Sequence, residues 1–221
     1  MKKSLIILSF GLILLFGCNP EPPTPIGVSL KNQNPETLSY TFNFDGETPV
    51  WEAGELSESF SNLSDNTALK KGNSAHAHGT FSLFGGLFTT TFSATENNGG
   101  THGAGVFTQV AGPPFNVPAD VVMETACISV EGNVAAYAGT ITEVIENGGW
   151  PVGNGPFEVG NTIYFTVKDN GASANAPLDQ YAPFIIITVG PTTDCPNFLF
   201  PEELTNFWLD VGSANDKIKV N

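Results

Sequence analysis

The chain has 221 residues, with 22 acidic side chains against 8 lysines and no arginine, for a formal charge of −14. An arginine-free acidic chain cannot neutralise a polyphosphate, which excludes nucleic acid as a partner. A hydrophobic fraction of 41% supplies a real core and excludes wholesale disorder.

Residues 1 to 17 read as a signal peptide. Lys2 and Lys3 form its positive start, and Ser4 to Phe16 an apolar stretch too short to span a bilayer comfortably. The run Leu15-Phe16-Gly17-Cys18 resembles a bacterial lipobox, with Gly17 before the cut and Cys18 as the lipid-modified new N-terminus. Phe16 is bulkier than the residue usual at its place, and an ordinary secretory signal with an incidental Cys is the alternative. Cleavage removes two lysines and takes the formal charge from −14 to −16. Residues 18 to 37 hold five prolines and few large apolar side chains, which implies an extended tether. Asn19 stands where an Asp would resemble an inner-membrane retention signal. The expected location is therefore the bacterial cell envelope, anchored to the outer membrane on its periplasmic or surface face. Once Cys18 is assigned to lipid, Cys127 and Cys195 are left as an even pair in an oxidising compartment. A disulfide between them closes a loop of 68 residues, worth about 4 kcal/mol in the chain-entropy model. Two buried free thiols are the other reading.

From Leu38 onward the chain reads as one β domain, residues 38–221. Leu38, Tyr40, Phe42 and Phe44 alternate with polar residues, the period of a half-buried strand ending at Asp45-Gly46. Residues 47 to 75 read as a long loop with a short strand near Trp51 and a helical turn near Ser64. A meander follows: strands at 79–84, 87–95 and 101–110, with turns at Gly85-Gly86 and Asn97 to Gly100. Phe88, Thr90, Phe92 and Ala94 share one face of the second strand. Strands 119–130 and 134–145 flank a turn at Glu131-Gly132-Asn133. In strand 161–168, Ile163, Phe165 and Val167 point in, while Thr162, Tyr164, Thr166 and Lys168 point out. Residues 181–189 form the last long strand, 201–208 the one helix candidate, and Lys217 to Val220 a short final strand. The expected fold is all-β: an antiparallel barrel of about eight strands with one short C-terminal helix at most. A β-sandwich is the alternative. Closing a barrel removes exposed edges. The absence of aromatic girdles argues for a soluble domain over a membrane barrel.

Three stretches carry a resemblance. Residues 126–139 read ACISVEGNVAAYAG, residues 165–179 FTVKDNGASANAPLD, and residues 213–220 SANDKIKV. Together they resemble an uncharacterised group of secreted bacterial β-domains, which pair a C-x-x-V-x-G-N-x-A hairpin with a V-x-D-N-G-x-x-A-N-A-P-x-D loop. His78-Gly79-Thr80-Phe81 matches the H-G-x-F strand with which such domains open. Asp216 and Lys217 depart from the Gly-Asn usual before the last strand. The likeness covers residues 76–221 and implies a β fold and export; it supplies no chemistry.

Three sets of residues are candidate sites. Asp169, Asn170, Asn175 and Asp179 put hard oxygen ligands on one loop, the chemistry of a calcium site, but without the spacing of an EF-hand. The same side chains could instead bond the loop's own backbone amides. His76 and His78 lie two apart on one strand, and His102 starts the strand two along. All three could meet at one end of the sheet to hold zinc or copper, or simply stand exposed. Trp150, in Asn147-Gly148-Gly149-Trp150-Pro151, is the leading candidate for stacking on a sugar among Trp51, Trp150, Tyr164, Tyr181 and Trp208, all read as exposed; the alternative is a local plug. No G-x-S-x-G, H-E-x-x-H or phosphate-binding glycine loop is present, and no catalytic residue is assigned. The expected function is a cell-envelope lipoprotein with a non-catalytic binding or structural module. Its partners are the membrane, through Cys18, and a glycan or small molecule. The alternative is an extracellular carbohydrate-active or metal-dependent hydrolase.

Overall fold

A computed structural model describes residues 38–43, 50–55, 75–97, 100–111, 117–173, 176–182, 185–192, 208–212 and 216–221. The signal peptide, Cys18, the tether, Asn175, Cys195 and all of the helix candidate except Trp208 lie outside them. The described chain is all-β. Its strands are β1 (Leu38–Asn43), β2 (Val50–Glu55), β3 (Ala75–Leu83), β4 (Phe88–Asn97), β5 (Gly100–Gln109) and β6 (Ala119–Glu131). They continue with β7 (Val134–Asn147), β8 (Thr162–Lys168), β9 (Gln180–Tyr181), β10 (Ile186–Thr188), β11 (Leu209–Asp210) and β12 (Lys217–Val220). All belong to one strongly curled antiparallel sheet whose main path runs β12-β3-β4-β5-β6-β7-β8-β10-β1-β2. No helix among the described residues is long and apolar enough to cross a membrane.

β3 to β8 form the expected meander, each strand paired with the next. Its turns follow from glycine. Gly85, Gly86 and Gly132 have positive φ with open space around them. One glycine is demanded by crowding. A Cβ on Gly103 would stand 1.9 Å from the Ser93 carbonyl oxygen, at a φ of +141° that side chains disfavour. There β5 leaves β6, whose pairing with it ends at Ala104↔Glu124.

Closure of the curl comes from the C-terminal segment. β8 carries β10 beside Thr162–Tyr164 and β9 beside Val167–Lys168. β11 pairs with β9, and β12 pairs with β3. Between them, the amide of Val211 reaches the Asp179 carbonyl and that of Gly212 the Ser82 carbonyl. One segment therefore joins the two ends of the meander. The strand expected over 181–189 is split in two, because the register against β8 shifts between Val167↔Tyr181 and Tyr164↔Ile186.

The main core lies inside the curl. Phe81, Phe88, Phe92, Phe107, Phe157, Phe165 and Tyr137 are all under 2% exposed or at that level; each contributes about 1.5–3 kcal/mol of burial. Tyr137 stacks on Phe165 at 4.7 Å, and Phe92 meets both edge-on or tilted. Trp51 enters from β2 and donates through Nε1 to Gln109 Oε1, and Gln109 Nε2 donates to the Val117 carbonyl. A second cluster sits on the other face of the sheet: Cys127, Ala136, Ala138, Tyr164, Ala182 and Ile186, with Trp208 against it. It corrects the exposure expected of the outer residues of β8. Thr162, Tyr164 and Thr166 do point away from the main core, but they are buried there and do not face solvent.

Candidate functional site

The histidines lie where the meander's register puts them. His76 pairs with Thr95, and Thr95 pairs with His102. The three residues form a row across β3, β4 and β5, so their side chains share the outer face. His78, two along β3, shares it too. His76 Nδ1 lies 2.8 Å from Thr95 Oγ1, and His76 Nε2 lies 2.9 Å from His78 Nδ1. The two imidazole centroids are 5.0 Å apart. His102 is exposed and stands two strands from His76, a separation of about 10 Å. The expected meeting of three histidines is therefore a pair with a third member on the same face. Among the described residues, no group of three or more His, Cys, Asp or Glu side chains converges. Thr95 enters through the register of β4 with β3, which sets it opposite His76.

The Asp169–Asp179 loop has a structural use. Asp169 Oδ1 accepts from the Gly171 amide, and its Oδ2 accepts from the Val220 amide. Asp179 Oδ1 accepts from the Asn170 amide, and its Oδ2 accepts from the Ile218 amide. Asn170 Nδ2 donates to the Leu178 carbonyl. Ile218 and Val220 are alternate residues of β12, and their amides point away from β3, along the free edge of the sheet. Both carboxylates thus terminate that edge, and Lys219 adds an exposed ion pair to Asp169 at 3.9 Å. All four carboxylate oxygens of the two residues are engaged with backbone amides: the two Oδ1 atoms with the loop's own, as in the second reading of this loop, and the two Oδ2 atoms with those of β12. Asp216, at the departure from the usual motif, accepts from the Ser82 amide and fixes the start of β12 against β3.

The aromatic candidates are largely interior. Trp51, Tyr164 and Tyr181 are 8%, 4% and 3% exposed, which corrects their reading as surface residues. Their amphipathic rings were buried with the polar end satisfied: the Tyr181 hydroxyl, for example, accepts from the Phe84 amide at 2.6 Å. Trp150 is half-buried and packs against the main core. Its side chain lies over Gly155, where a Cβ would come within 2.5 Å of the Trp150 Cβ. The Asn147 side chain holds the turn by bonding the Gly149 amide and the Trp150 carbonyl. Cys127 is 5% exposed in the second cluster and is disulfide-bonded; Cys195 lies outside the described residues.

No family model, no curated protein and no solved structure matches the chain.

Proposed function

We propose that the chain is a cell-envelope lipoprotein, anchored through Cys18 to the outer membrane and carrying a β domain that works without catalysis, as a binding or structural module. The observation that carries the second half is the filled interior. The space inside the curl is taken by Phe81, Phe88, Phe92, Phe107, Phe157, Phe165 and Tyr137, where a substrate would need a cleft with converging polar groups. The carboxylates best placed to form a site are committed to backbone amides. The first half rests on the sequence 1 to 18, with residues 19 to 37 as the tether. Export also accounts for a disulfide at Cys127, which we assign to Cys195. Membership of the secreted β-domain group is part of the same reading.

Two measurements test it. Palmitate labelling of the wild type and of Cys18→Ala, followed by membrane fractionation, is expected to lose both label and membrane association in the variant. Unchanged label would refute the anchor. The extracted chain, screened on a glycan array, is expected to bind without releasing new reducing ends. Turnover of a bound glycan would move the protein to the hydrolases.

A further inference from the structure

The His76–His78 pair brings two imidazole nitrogens together on one face of β3. Alternation along β3 puts both imidazoles on the solvent side of the sheet, and His76 Nε2 and His78 Nδ1 face each other at 2.9 Å. The pair is hydrogen-bonded, and an ion that replaces the shared proton takes both nitrogens once the rings turn their lone pairs towards it; for two imidazole nitrogens the affinity order puts copper(II) above nickel(II) and zinc(II). We propose that His76 and His78 form a bidentate site for a divalent transition-metal ion of tetragonal preference, copper(II) first and nickel(II) next. The site stands independently of the anchor at Cys18.

Thr95 prepares the first ligand. It occupies Nδ1 of His76 at 2.8 Å. When Nδ1 donates to the hydroxyl, Nε2 is left as the lone-pair nitrogen, the way an outer partner orients a metal-bound imidazole. With that tautomer, the metal-free pair has the lone pair accepting the proton of His78 Nδ1. The ion takes the proton's place, and His78 carries its one N–H on Nε2, so two neutral imidazoles ligate with no net proton released. Exposure of His78 leaves the other coordination positions to water. His102 stands two strands away and does not join them in a group of three among the described residues, so the site is written as a pair. Lys219 is cross-strand from His78, and its ammonium lies 3.9 Å from Asp169. A formal charge of −14 over the chain raises the local concentration of cations.

The test is a titration of the untagged full-length chain in detergent with copper(II), nickel(II) and zinc(II) at neutral pH, read by calorimetry and, for copper, by electron paramagnetic resonance. The expected result is one copper ion per chain with hyperfine structure from two imidazole nitrogens, and affinities in the order copper, nickel, zinc. His76→Asn and His78→Asn are each expected to weaken copper binding by about tenfold or more, and His102→Asn by less than about twofold. His78 is exposed, so its variant keeps the fold, checked by circular dichroism. Wild-type copper affinity in His78→Asn, or an equal loss in His102→Asn, would overturn the site.

Discussion

Two residues in the middle of the main core show how closely side chains set one another's limits. Tyr137 lies along β7 over Gly139, where a Cβ would come within 2.7 Å of the Tyr137 hydroxyl and 3.0 Å of Met123 Cβ. Gly139→Ala is therefore expected to lower stability by about 1–3 kcal/mol through overpacking, read as a shift in urea midpoint at unchanged slope. Burial also acts on the Tyr137 hydroxyl. It pushes the pKa up from 10.0 to about 12, with the Thr125 hydrogen bond pulling weakly the other way. Tyr181 is raised for the same reason. The sign follows from which state holds the proton. Above pH 10 the unfolded tyrosine ionises while the folded one stays neutral, so stability present below pH 10 is lost as pH rises towards 12. For Tyr137 the loss is about 2–3 kcal/mol. Urea midpoints measured from pH 9 to 12 are expected to fall, and to fall less steeply in Tyr137→Phe.

At the scale of elements, the seam is the informative feature. β12 gives one edge to β3 and the other to two aspartates, which do the work of a neighbouring strand at Ile218 and Val220. Asp179→Ala leaves the Asn170 and Ile218 amides without their acceptor and is expected to cost about 2–3 kcal/mol. Hydrogen exchange at Ile218 is expected to speed up in the same variant, while exchange in the β6–β7 hairpin keeps its rate. Because these oxygens already serve amides, calcium in millimolar excess is expected to leave the melting temperature unchanged. The meander itself was legible: alternation in Phe88, Thr90, Phe92 and Ala94 and the glycine turns announce it, and all four residues are buried. The role of the Asp loop was not, since the oxygens that ligate a cation are those that accept from an amide, and its partners Ile218 and Val220 lie 39 and 51 residues away. The burial of Tyr164 was missed because a second apolar cluster covers the outer face of β8, and its partners Ala182, Ile186 and Trp208 lie far along the chain. The break between β9 and β10 was hidden by an unbroken apolar run, Phe184 to Ile187, that has no period to read. The histidine pair was half legible: spacing placed the two residues on one face, but only the β3–β4 register brings in Thr95 and keeps His102 apart.

Over the whole molecule, two clusters on opposite faces of one sheet divide the stabilising work. The inner cluster is large and aromatic, while the outer one is small and built around Ala136, Ala138, Tyr164 and Ile186. A patch of alanines buries little apolar area on its own. Trp208 packs against that patch, and Cys127 belongs to it. The proposed pairing with Cys195 links β6 to the chain that follows β10. The loop so formed, 68 residues from 127 to 195, holds β7, β8, β9 and β10. In the chain-entropy model its cross-link is worth about 4 kcal/mol. Reduction under native buffer is expected to lower stability by up to that amount, and Cys127→Ala with Cys195→Ala to reproduce the loss without reductant. Peptide mapping of the unreduced chain is expected to recover Cys127 and Cys195 in one linked fragment. Two free thiols titrating in the denatured, unreduced chain would contradict the pairing and leave the outer cluster to hold Trp208 by packing alone.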